Sequence, residues 1–133
     1  MTTSTKYTFL TRMALPLAEI RPRVEAALKA EGFGILTEID VAATLKAKLG
    51  VEWPPYVILG ACNPPLAHRA LEQDQSIGAL LPCNVVLREE CGGTVVEAMD
   101  PDAVLGIVDL PGIASVAREA RERLQRALAS LEA

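Results

Sequence analysis

The chain has 133 residues, half of them hydrophobic but only 4% aromatic, with a net charge of −4 and a pI of about 5.0. Its length suits one domain with a substantial core. The 13 Lys and Arg are dispersed among 17 carboxylates, which argues against nucleic acid as a partner, because phosphate binding needs clustered positive charge. No apolar run approaches the roughly eighteen residues that span a bilayer, and residues 1–6 (MTTSTK) lack the apolar core of a secretory signal. Three cysteines, an odd count without zinc-finger spacing, suit free thiols in a reducing, cytoplasmic compartment.

Residues 5–13, with Tyr7, Thr8, Phe9 and Leu10, read as a first strand. A helix follows as far as Gly32, with Leu17, Ile20, Val24, Ala27 and Leu28 on one side. Pro22 requires that helix to start late or to bend. Gly32-Phe33-Gly34 stops it, and residues 35–39 form a second strand. Asp40 caps a short helix whose Val41, Ala42, Leu45 and Leu49 share a face, with Gly50 as its terminator. After a loop over residues 51–55, residues 56–61 are continuously apolar, as a central strand should be.

Asn63-Pro64-Pro65 is a helix start, an Asn cap followed by prolines in the first turn. That helix runs to about Gln73 and leads into an unusually apolar loop, residues 74–82. Residues 83–89 and 94–99 pair as a hairpin. Asp100-Pro101 opens another helix, and residues 113–131 form a last one with an apolar stripe from Ile113 to Leu131. The order β-α-β-α-β-α-β-β-α-α predicts a single α/β domain over residues 1–133: one mixed sheet of about five strands with helices packed on one face. The aliphatic excess and the uncovered face together predict a homodimer.

Chemistry concentrates at two Cys-Asn pairs, Cys62-Asn63 and Cys83-Asn84, each beside a proline (Pro64 and Pro82) at an element boundary. Cys62 ends a strand and precedes a helix N-cap, where amide N–H groups and the helix dipole lower a thiol pKa. Strand ends of this kind also hold ligands in α/β sheets. Inert packing is the competing reading, since cysteine is among the most buried residue types. Cys62 and Cys83 meet only if their strands are antiparallel. Cys91 belongs to a hairpin turn, and His68, the sole histidine, falls beside Arg69 and Glu72 away from the apolar face. A Cys62/His68/Cys83 set lacks a fourth zinc ligand, so no metal site is assigned. Three functions remain open: binding of a small ligand or metal at the Cys62-Asn63-Pro64 corner, thiol-dependent enzyme or redox chemistry at Cys62 or Cys83, and a purely structural or interaction role. No cofactor follows from the residues.

Lys48-Leu49-Gly50, residues 55–68 (PYVILGACNPPLAH), then Ala70-Leu71, Ile77-Gly78 and Leu80-Leu81-Pro82-Cys83-Asn84-Val85, together with Gly32-Phe33-Gly34, resemble the bacterial and archaeal domain of unknown function numbered 302. The resemblance covers about residues 5–108 and leaves the last helix, residues 113–131, unmatched. It implies a compact α/β fold and homodimers, and it marks Cys62, Asn63, Pro64 and Cys83. It implies no activity, cofactor or catalytic residue.

Overall fold

In the structure, a computed structural model that describes residues 2–132, Thr5 divides the first predicted strand. Its N–H donates to the Thr8 carbonyl at 2.8 Å, and its hydroxyl accepts the N–H groups of Tyr7 and Thr8 at 3.3 and 3.0 Å. A tight turn results, and it folds β1 (Thr3–Ser4) antiparallel onto β2 (Thr8–Met13). Helix α1 (Leu17–Ala30) does not start late: Pro16 occupies the N-cap position and Pro22 lies within the helix, which forgoes one ladder hydrogen bond there.

β3 (Gly34–Asp40), α2 (Val41–Leu49) and β4 (Tyr56–Cys62) come next. α2 is not the crossover helix of a parallel pair. It buries no residue, and Asp40 at the end of β3 faces Val57 at the start of β4, so the unit is a hairpin with a helix in its connection. α3 (Pro64–Gln73) leads to a 3-10 segment, Gln75–Leu80, where an irregular loop was expected. Asp74 starts that segment by accepting the Ser76 N–H at 2.9 Å, and its apolar Ile77 is buried. β5 (Cys83–Glu90) and β6 (Gly93–Met99) form the predicted hairpin. α4 (Pro101–Leu105) and α5 (Pro111–Ser130) complete the chain, α5 starting at its proline, two residues before the expected Ile113.

The sheet is therefore six-stranded, in the order β1-β2-β6-β5-β4-β3, and every pair is antiparallel. The mixed sheet expected from the sequence is corrected by the hairpin geometry of the β3–β4 and β4–β5 connections. Helices cover one face, as predicted. Phe9, Leu59, Val85, Leu87 and Val96 meet Ile20, Val24, Leu28, Leu124 and Leu128 there, which is period-two alternation on the strands against a 3.6-residue stripe on the helices. The opposite face carries no helix of this core. Ile58, Val86 and Arg88 lie on it by alternation, beside Arg12, whose guanidinium pairs with Glu90 at 2.9 Å. Arg88 also pairs with Glu97 across the β5–β6 register.

Gly60, in the middle of β4, is required by contact. A Cβ there would stand 2.8 Å from Pro82 Cγ and clash with Thr37 Oγ1. Gly60→Ala should lose about 1–3 kcal/mol in denaturant unfolding, the usual cost of overpacking. Gly34→Ala, with nothing within 4 Å of its Cβ position, should change stability by less than about 0.5 kcal/mol.

Candidate functional site

Asn63 performs the capping role read from the sequence. Its Oδ1 accepts the Leu66 N–H at 3.3 Å, and the residue is only 7% exposed. The amide nitrogen donates to the Glu31 carbonyl at 3.5 Å, and the same oxygen accepts Arg123 Nη1 at 3.1 Å. The end of α1, the start of α3 and the middle of α5 thus meet at one carbonyl. Gly32, with φ of +86°, makes room: a Cβ there would lie 2.8 Å from Asn63 Nδ2.

The antiparallel pairing of β4 and β5 answers the question left open about the cysteines. Ala61 stands opposite Cys83, so Cys62 lies one residue beyond that pair, at the same end of the sheet. Both cysteines line one cavity of about 320 Å³. Its walls are Leu66, Ala67, Ala70 and Leu71 from α3, Val116 and Ala120 from α5, and Leu105 from α4. Phe33, Leu36, Ala61, Asn63, Gly78, Leu81 and Pro82 complete it. Leu36 and Leu71 are exposed and form part of the rim. Sequence reading missed most of these walls. The available signals were the apolar stretch 74–82 and the alanines at 67, 70 and 120, whose small side chains leave space between facing helices.

Pro64 and Asn84, also expected at the site, fall outside the cavity walls, as do His68 and Cys91, which were not. Pro64 is exposed at the first turn of α3, and Asn84 is exposed opposite Gly60. His68 is exposed beside Glu72, with Nε2 3.7 Å from the carboxylate. Cys91 is exposed in the β5–β6 turn with φ of +52°. Among the described residues, no group of three or more His, Cys, Asp or Glu side chains could hold a metal ion. Among them, too, no helix is long and apolar enough to cross a membrane.

The lowered thiol pKa expected from the helix N-terminus is not realised. Burial pushes the Cys62 thiol up, and burial followed by the nearby Cys62 pushes Cys83 up to about 11. The cap offers nothing to offset burial. Pro64 and Pro65 have no N–H, the Leu66 N–H goes to Asn63 Oδ1, and the Ala67 N–H goes to the Asn63 carbonyl at 2.9 Å. No amide of the first turn is left to stabilise a thiolate.

The match to known proteins agrees with this architecture. The family model described as "Domain of unknown function DUF302" matches residues 9–131. The chain belongs to DUF302. The match runs past Val108 and takes in α5, whose Val116 and Ala120 close the cavity. Among solved structures, an uncharacterized conserved DUF302 protein from Bacillus stearothermophilus superposes with a TM-score of 0.87 at 31% identity. The alignment covers 94% of this chain and 98% of that one. No curated protein matches.

Within this DUF302 chain the raised thiol pKa values set an order of reactivity. At neutral pH both cavity thiols stay protonated, and the thiolate is the reactive form. Iodoacetamide followed by peptide mass spectrometry should label exposed Cys91 first, Cys62 more slowly and buried Cys83 last. Labelling of Cys83 in the folded protein should rise only as the pH approaches about 11. Equal rates at all three positions would contradict this assignment.

Proposed function

We propose that the protein binds a small molecule in the cavity beside Cys62 and Asn63, and that it works as a homodimer whose open sheet faces meet. The observation that carries the first part is the cavity itself. At about 320 Å³ it falls at the small end of the range for ligand sites. It lies where β4 ends and β5 begins and is walled by three of the residues that the sequence singled out, Cys62, Asn63 and Cys83. Because neither thiol is activated, the arrangement favours binding over nucleophilic catalysis. The cysteines act as soft, compact wall groups.

Ala67 is half-buried on the cavity wall, so a larger side chain there fills the space from the rim inward. A native mass spectrum of untagged protein should show added mass on the wild type that is absent from a folded Ala67→Trp variant. An adduct retained by that variant would place the ligand elsewhere.

The dimer rests on the uncovered face. Ile58, Val86 and half-exposed Ile39 supply its apolar ground. The Arg12–Glu90 and Arg88–Glu97 pairs put both signs of charge beside them, so a two-fold copy can set acid against base. Light scattering should give twice the chain mass at micromolar concentration, and Val86→Glu should shift it to the monomer. A monomeric wild type at those concentrations would refute the dimer.

A further inference from the structure

The polar groups around the cavity are already committed, and this restricts what the cavity can hold. Asn63 uses its oxygen on Leu66 N–H and its nitrogen on the Glu31 carbonyl. Arg123, which reaches the same corner, spends Nη1 on that carbonyl and Nε on Glu119, at 3.2 Å. The first turn of α3 offers no amide, since two of its residues are prolines and the next two N–H groups are bonded. Among the described residues, no buried side-chain nitrogen or oxygen is left without a partner. Apart from Asn63, the side chains on the wall are aliphatic, aromatic or thiol.

From this we infer that the ligand is an uncharged, apolar molecule, of the size of a medium-length aliphatic chain or a small fused-ring hydrocarbon. The inference rests on the small-molecule reading above and names the ligand class. A charged group brought into such a space gives up its hydration and finds no counter-charge or free donor in return. An apolar group loses nothing of that kind and gains contact with the carbon walls. Exposed Leu36 and Leu71 at the rim extend the same apolar surface outward, so the mouth as well as the interior meets a ligand with carbon.

The test compares probes that share a skeleton and differ in charge. N-phenyl-1-naphthylamine is uncharged, and 8-anilinonaphthalene-1-sulfonate adds a sulfonate to the same ring system. Decan-1-ol and decanoate form a second pair of equal chain length, read by displacement of the neutral dye. The neutral dye should bind one per chain with enhanced fluorescence, and decan-1-ol should displace it. At neutral pH the two anions should bind at least about tenfold more weakly than their neutral partners, from the cost of burying charge. Ala67→Trp, and Leu71→Trp as a second plug placed on the exposed rim, should remove neutral-dye binding while leaving the far-ultraviolet circular dichroism unchanged.

Anions that bind as tightly as their neutral counterparts, and are lost in both Trp variants, would overturn the apolar class and leave the cavity as the binding site. Neutral-dye binding that survives in both folded Trp variants would overturn the cavity reading itself. Failure of both neutral probes to bind the wild type would overturn the inference.

Discussion

A buried amide must find partners for both of its ends, and Asn63 finds them in two different elements. Its oxygen closes the first turn of α3, while its nitrogen reaches the last carbonyl beyond α1. Much of the corner follows from that double demand. Gly32 must lack a side chain so that the amide can approach. Arg123 of α5 shares the Glu31 carbonyl, and Arg126 pairs with the Glu31 carboxylate at 2.9 Å, so the long helix is held at the same point. Three helices distant in sequence are thereby fixed against one end of the sheet, and the cavity is the space left between α3, α4, α5 and that end.

That space persists because of side-chain size. Ala67 and Ala70 on α3 and Ala120 on α5 are too short to fill the gap between the helices, whereas Leu124 and Leu128, further along α5, pack completely. Collapse would require α3 to move toward the sheet, and the Asn63 cap opposes this at its N-terminus. At its other end Gln73 packs where a Cβ on Gly112 would sit, which fixes the approach of α3 to the start of α5. Void space walled by carbon costs the surrounding groups their dispersion contacts, and an apolar occupant restores them.

The sequence was most legible where a local rule had one outcome. The Asn63-Pro64-Pro65 cap, the Asp40 and Asp100 caps and the β5–β6 hairpin all follow from residue chemistry within a few positions. Strand direction was not local. The same β-α-β order fits a parallel crossover or a hairpin with a helix in its connection, and the antiparallel register and unburied α2 that distinguish them appear only in the fold. The thiol chemistry was misread for a related reason. A helix N-terminus ordinarily offers free amides, yet the prolines that announce this helix also remove them. The cavity walls were hardest to read because alanines on separate helices become neighbours only after the helices are placed.

The outer strand β3 departs from regular pairing between Ile35 and Thr37, leaving Leu36 as an extra residue. A strand at the margin of a sheet offers its free peptide groups to any other extended chain, and with exposed Leu36 and Ile39 this one would otherwise invite such addition. The bulge bends the row of free groups and limits the regular stretch to the four residues from Thr37 to Asp40. Directly after Asp40 the chain turns into α2. An incoming strand therefore finds only a short template to build on, which disfavours fibrillar stacking through this margin even though the margin itself stays bare.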